Sequence, residues 1–292
     1  MTNNPTRNAS ESNDLKSGTL YLVGTPIGNL EDITFRAIRI LQTADLIAAE
    51  DTRHTGKLLQ HFQITTPQIS YHEHNKLSRQ EELLIRLKKG ETIALVTDAG
   101  MPGISDPGYE LANACIEAGI AVIPIPGPSA AVTALAASGL PSDRFVFEGF
   151  LAVKAKERRD RLNSLKHETR TLIFYEAPHR LLETLSDLAN ILGENRQIVL
   201  ARELTKIHEE FWRGTIEDAI AFYRTKTPKG EFTLVVAGTP REENLVLSPQ
   251  ELKVELKQLI EQGMTRSQAS RQLAQLTNIP RRQIYQLATE EE

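Results

Sequence analysis

The chain has 292 residues, 40% of them hydrophobic and 25% charged, the balance of a globular protein with room for two domains and their cores. Its 34 basic and 38 acidic residues leave a formal net charge of −4, so nothing global signals nucleic acid and any such role must rest on a local patch. The single cysteine, Cys115, excludes a disulfide framework and a multi-cysteine metal site and fits a reducing cytoplasm, and no apolar run is long enough to span a membrane.

Residues 1–17 are polar throughout and read as a disordered leader without a secretory pattern. A first α/β domain is expected over 18–138. TLYLVG, DLIAAE, QISYH, TIALVT and AVIPIPG are short, aliphatic and closed by turn formers, as strands are. Helical spacing separates them in ITFRAIRIL, SRQEELLIRLKKG and PGYELANACIEAG, and Asp106-Pro107 reads as the N-cap and first residue of the last. Regular alternation implies a mostly parallel sheet. SGLPSDR (138–144) breaks the pattern as a hinge, and RFVFEGF, TLIFYE, QIVLARE and EFTLVVAG, with helices between them, predict a second α/β domain over 139–240. A polar, proline-bearing linker (239–249) leads to a helical module over 250–289, which reads either as helix-turn-helix-like, with arginines at its helix starts, or as a small helical cap.

Four loops at predicted strand ends share a turn-rich composition: GTPIGNLED (24–32), EDTRHT (50–55), TDAGMPGISDPG (97–108) and PGPSA (126–130). Ligands of open α/β sheets sit at the carboxyl ends of strands, so these loops predict a small ligand read by the backbone. No GxxxxGK[ST] and no full GxGxxG occurs, which argues against a phosphate cradle, and there is no GxSxG elbow. His72-Glu73-His74 lacks an obvious third ligand, so no metal is expected. Lys154, Lys156, Arg158, Arg159 and Arg161 crowd one stretch, either a solvated helix face or a contact for an RNA backbone, the reading favoured here.

In order and spacing, VGTPIGNLEDITFRAIRILQTADLIAAEDTRHTGKLL, LVTDAGMPGISDPG, PIPGPSA, FYEAPHR, ARELTKIHEE and KGEFTLVVAG closely resemble the bacterial small-subunit ribosomal RNA methyltransferase I family. That family is a branch of the tetrapyrrole methylase superfamily, whose members use S-adenosylmethionine. The resemblance covers Gly18 to about Gly238 and extends into the tail. It implies two α/β domains with the cofactor in the cleft between them, a cytoplasmic homodimer, and methylation of the ribose 2′-hydroxyl of a cytidine in the decoding region of small-subunit ribosomal RNA, free or in the assembled subunit. The first loop, GTPIGNLED, departs from the GPGD type of porphyrin-modifying relatives, which counts against a tetrapyrrole substrate, the main alternative. A non-enzymatic nucleic-acid binder that uses the tail is the third reading.

Carried over by the same resemblance, the cofactor contacts fall on Asp98, Ala99, Gly100, Met101, Pro102, Gly103 and Ile104, on Ser129 and Ala130, and in the second domain on Tyr175, Leu204 and Ala237. Asp98 suits the cationic groups of the cofactor, with a turn aspartate as the plainer reading. Methyl transfer to a hydroxyl needs in-line alignment and a proton acceptor. Cleft-facing loops offer Asp32, Glu50, Asp51, Arg53, His54, Lys206, His208 and Glu209. The expectation is that Asp51 or His54 touches the acceptor nucleotide and Arg53 its phosphate; in the alternative, Glu50, Asp51 and Arg53 form a self-satisfied ion-pair turn.

Overall fold

Five short aliphatic strands make the first sheet: β1 (Thr19–Val23), β2 (Leu46–Ala49), β3 (Gln68–Ser70), β4 (Ile93–Val96) and β5 (Ala121–Ile125). They pair in the order β3-β2-β4-β1-β5, all parallel. The computed structural model describes residues 15–240, 247–277 and 279–287. Every residue of β2 and β4 is buried, as in parallel strands covered on both faces. Alternation sends Tyr21, Val23, Ile47, Ala49, Ala94 and Val96 into one core with α1 (Phe35–Thr43) and α2 (Thr52–His61). Leu20, Leu46, Ala48, Ile93 and Leu95 enter the other, where α3 (Lys76–Lys88) and α4 (Tyr109–Glu117) supply Leu83, Leu87, Leu111 and Cys115. The leader expected over 1–17 lies outside the described residues as far as 14; beyond that, Leu15 packs on the first core and the Ser17 hydroxyl donates to Gly90 O at 2.9 Å.

After α5 (Ala130–Ser138) come β6 (Phe145–Phe150), α6 (Ala155–Ser164), β7 (Thr171–Glu176), α7 (Leu181–Leu192), β8 (Gln197–Arg202), β9 (Glu210–Thr215), α8 (Ile216–Thr225) and β10 (Phe232–Val236). The second sheet has the order β6-β7-β10-β8-β9 and is mixed: β6 and β7 are parallel, while β10 runs against both β7 and β8, and β8 against β9. One face packs Leu172, Phe174, Leu200 and Leu234 on α7 and α8; the other packs Ile173, Val199 and Val235 on Ala131, Ala134 and Leu135 of α5. Helix α5 precedes the hinge expected at 138–144 yet covers the second sheet, so a boundary there cuts it from the layer that buries it. Truncating Leu135 would cost about 2–5 kcal/mol by the usual rule for buried leucines.

Residues up to 166 and 170–237 form one compact unit; 167–169 and 238 onward form another. In the second, α9 (Pro249–Glu261), α10 (Arg266–Leu276) and α11 (Arg281–Leu287) close on Leu252, Leu256, Ala269, Leu273 and Ile284. Ser248 with Glu251, and Thr265 with Gln268, form capping boxes that fix the starts of α9 and α10, each worth about 1 kcal/mol. Of the turn expected at 278–280, Asn278 lies outside the described residues, as do 241–246 of the linker and 288–289 of the tail. Among the described residues no helix is long and apolar enough to cross a membrane.

Candidate active site

In an all-parallel sheet every carboxyl end opens on the same edge. Across it stand Glu50 after β2, Asp98 after β4, Thr25 after β1 and the 126–129 turn after β5. The Asp98 N–H donates to Glu50 Oε2 at 3.2 Å, and the Asp51 N–H donates to Asp98 Oδ1 at 3.2 Å. Thr25 and Gly100 exchange backbone hydrogen bonds of 2.9 and 3.1 Å. Gly24 and Gly127 pack backbone to backbone: a Cβ on Gly24 would stand 2.7 Å from Gly127 Cα. These two glycines serve the close contact between the loops after β1 and β5.

Beyond this edge lies a cavity of about 590 Å³, a volume in the range of ligand pockets. Of the cofactor residues expected from sequence, Asp98, Ala99, Gly100, Met101, Ile104, Ser129, Ala130, Tyr175 and Leu204 line it. Pro102 and Gly103 do not; they belong to the turn behind the wall. Ala237 does not either, and the cause is strand direction. Because β10 is antiparallel to β7, its first residues, Phe232 and Thr233, face the cavity, while Ala237 lies past the far end, its N–H bonded to Gln197 O at 2.9 Å.

Asp106 and Pro107 do not open α4. Gly108, with φ of 144°, takes the N-cap, and the Asp106 carboxyl lines the cavity instead. Burial, reinforced by the Glu50 and Asp98 carboxylates, pushes its pKa up to about 7. Burial also raises Glu50. None of these carboxylates is ion-paired with a lysine or arginine among the described residues; Arg53 acts on Asp98 and His72 on Glu50 only through the weaker long-range field. Ile27, Met101, Leu204, Tyr175 and Phe232 give the cavity apolar and aromatic surface, and Glu176, His179, Glu231 and Thr233 add further polar groups. Tyr175 is held in place by its hydroxyl, which accepts from the Ala131 N–H at 3.2 Å. This donor set fits a ligand with positive charge at one end and a flat apolar ring at the other.

The expected catalytic trio is placed differently. Asp51 is the N-cap of α2, accepting from the Arg53 N–H at 2.8 Å, and the Arg53 guanidinium closes on it at 2.7 and 3.1 Å. That pairing holds the Asp51 carboxyl well below the usual carboxylate range, which makes it a poor proton acceptor. Asp51, Arg53 and His54 stand outside the cavity wall, and Arg53 and His54 are exposed. The ion-pair turn is what forms, and Glu50 is the member of that loop that reaches the cavity.

The basic stretch is also largely committed. Arg158 has a fully buried side chain, with Nε on Asp187 at 2.7 Å and Nη2 on Glu183 at 2.6 Å, and it offers nothing to RNA. Arg159 pairs with Asp187, Arg161 with Glu148 and Lys154 with Glu157, though all three keep exposed surface; Lys156 is exposed. Helix α6 packs on α7 through its Arg158 side, which a count of charges in sequence does not reveal. No group of three or more His, Cys, Asp or Glu among the described residues is arranged to hold a metal.

Several lining residues lie in quoted motifs without being singled out: Glu176, Ala177, Pro178 and His179 in FYEAPHR, and Glu231, Phe232 and Thr233 in KGEFTLVVAG. The strand-end rule applied to β10 in its true direction finds the latter group. Phe150 has no signal in sequence beyond its place at the end of a strand.

A model of the family Tetrapyrrole (Corrin/Porphyrin) Methylases matches residues 19–220. A ribosomal RNA small subunit methyltransferase I from Synechocystis sp. is 63% identical over 273 residues, 94% of this chain and 98% of that protein. One from Halalkalibacterium halodurans is 53% identical over 281 residues, 94% and 96% of the two chains. Among solved structures, a uroporphyrin-III-C-methyltransferase from Thermus thermophilus superposes with a TM-score of 0.55 at 24% identity, over 75% of this chain and 94% of that one. A cobalt precorrin-4 methyltransferase of cobalamin biosynthesis does so at 0.55 and 17%, over 75% and 95%. At such identities the structures speak for the fold alone. With the family model running from β1 into α8 and curated relatives matched nearly end to end, the chain belongs to the tetrapyrrole methylase family, in the group of ribosomal RNA small subunit methyltransferase I.

Proposed function

We propose that the protein is an S-adenosylmethionine-dependent methyltransferase that acts, as a cytoplasmic homodimer, on the ribose 2′-hydroxyl of a cytidine in the decoding region of small-subunit ribosomal RNA. The observation that carries the cofactor is the trio Glu50, Asp98 and Asp106, carboxyl groups that among the described residues are not ion-paired with lysine or arginine, in a cavity that also presents apolar and aromatic surface. S-adenosylmethionine supplies an activated methyl group on a cationic sulfur, together with an ammonium that such carboxylates would hold. Tyr175, Leu204 and Met101 supply apolar surface for its purine, and the 98–104 loop presents main-chain groups fixed by the Thr25–Gly100 bridge. The protein then has to align the acceptor oxygen and take its proton. Asp106 is the group suited to that task, since it titrates near neutral pH and borders the cavity. Arg53 and His54, exposed beside the same sheet edge, are offered to the RNA backbone. The RNA substrate itself rests on the names of the relatives and on the non-porphyrin first loop.

The test is methyl transfer from labelled S-adenosylmethionine to small ribosomal subunits and to naked ribosomal RNA, both from cells lacking this protein, with a tetrapyrrole in parallel. Label at a single cytidine, at a ribose that resists alkaline cleavage, is expected. Label in the tetrapyrrole alone would replace this reading with the small-molecule one.

A further inference from the structure

Strand β6 is one of the two edge strands of the second sheet, and its last residue is an aromatic left 56% exposed at the cavity wall. Its position there is built. Phe147 pairs with Ile173, but Gly149, not Glu148, pairs with Phe174, so one extra residue bulges out of the strand. Without the bulge Phe150 would stand opposite Glu176, on the other face. With it, Phe150 stands opposite Tyr175, its ring centroid 5.5 Å from that of Tyr175, which also receives Phe147 at 5.0 Å. Gly149 makes this possible with φ of +62°, where a Cβ would also come within 3.0 Å of Ser105 Oγ. Bulges beside active sites characteristically re-aim one side chain.

Three arginines hold the arrangement. The bulged residue, Glu148, has a carboxylate only 4% exposed and gripped by the Arg161 fork at 2.6 and 2.8 Å. The next carbonyls are bound in turn: Arg180 Nη2 donates to Leu151 O at 2.8 Å and Ala152 O at 3.1 Å, and the buried Arg158 donates to Val153 O at 3.1 Å. An apolar ring facing water is thus fixed on both sides in sequence, which is how a preorganised contact is made. Lys154, Lys156 and Arg159 follow within nine residues, each with exposed surface. A flat ring flanked by cations is the pattern that binds single-stranded nucleic acid, base on ring and phosphate on cation.

We infer that Phe150, turned to the cavity mouth by the Gly149 bulge and braced by Arg158, Arg161 and Arg180, is the stacking platform for the acceptor nucleobase of single-stranded RNA. The inference rests on the RNA reading above and deepens it. The experiment uses the full chain with Phe150→Ala, Phe150→Leu and Phe150→Trp, and reads three quantities: kcat/KM on small subunits, affinity for a fluorescent cytidine-containing RNA oligomer, and affinity for S-adenosylmethionine by calorimetry. Phe150→Ala should lose roughly 5- to 150-fold in RNA affinity and kcat/KM. Phe150→Leu should lose nearly as much, Phe150→Trp should stay within about threefold because any π-face serves, and donor affinity should change far less than RNA affinity. A Leu variant as good as wild type, a parallel fall in donor affinity, or a changed molecular mass in light scattering would each overturn the inference, the last by making Phe150 part of an interface between copies. A wild type that binds the oligomer through Phe150 yet transfers no methyl group to RNA would instead break the activity proposed above.

Discussion

The two sheets meet the cavity with opposite chemistry. The first brings unpaired acid, Glu50, Asp98 and Asp106, on loops that follow parallel strands. The second brings rings, Tyr175, Phe150 and Phe232, while the charges around it are spent on one another, Arg158 with Asp187 and Glu183, and Arg161 with Glu148. Charge in a cavity without a partner is held for a ligand; charge in a closed network holds the fold. Removing a charge should therefore change binding and pH response on one side and stability on the other.

The largest effect belongs to Arg158. Its guanidinium is out of water and its removal would leave Asp187, itself only 4% exposed, with Arg159 alone and Glu183 without its partner, so Arg158→Ala should destabilise the protein by about 3 kcal/mol in urea or guanidinium unfolding, the low end for breaking a buried pair. Lys156→Ala on the same helix, exposed, should stay within about 0.5 kcal/mol. If Arg158→Ala were as stable as wild type and only RNA affinity fell, the buried network of the second half would not hold the fold and the contrast would fail.

That contrast also accounts for what the sequence reveals. The first sheet is legible because its inner strands β1, β2 and β4 are buried almost throughout and read as continuous aliphatic runs, and because parallel strands all end at the cavity edge. Of the nine cofactor positions carried over by resemblance that reach the cavity, seven do so for that reason. In the second half composition is silent on strand direction, so nothing in the residues themselves checks the Ala237 contact implied by the resemblance, and in the antiparallel β10 it is Phe232 and Thr233 that face the cavity. Strand β9 goes unread because it is an edge strand of half-buried residues with Glu210 and Arg213 in its run. Arg158 looks like its neighbours in sequence; only the packing of α6 distinguishes an arginine facing Asp187 from a lysine facing water.

On the acidic side the sharper test is proton linkage at Asp106. Its folded pKa of about 7 lies above the ordinary 3.8, so between those values the fold holds a proton that the unfolded chain has lost. The resulting stabilisation is complete below about 3.8 and is lost as pH rises through about 7. Asp106→Asn, uncharged throughout, should remove that decline from the pH dependence of unfolding. A cationic donor favours the carboxylate, so its binding should expel the proton and its affinity should rise by up to about tenfold per pH unit toward pH 7. Calorimetry in buffers of different ionisation heat should detect the released proton, and Asp106→Asn should flatten the profile. An unchanged slope in the variant would place the titrating group elsewhere.

The smallest effects isolate strand direction, since both residues tested lie at the ends of one strand. Thr233, at the start of β10, is buried at the cavity wall, whereas Ala237 lies just past the strand's end beside Gln197. Thr233→Val keeps the shape and deletes only a hydroxyl, so donor affinity should fall by about two- to tenfold, the net value of one hydrogen bond. Ala237→Ser adds a hydroxyl of similar size and should leave that affinity unchanged. In a wholly parallel second sheet the order of the two effects would be reversed, because the ligand would then sit at the carboxyl end of β10. The pair therefore reads the polarity of a single strand in solution, and a larger loss at Ala237 than at Thr233 would require β10 to face the donor the other way round.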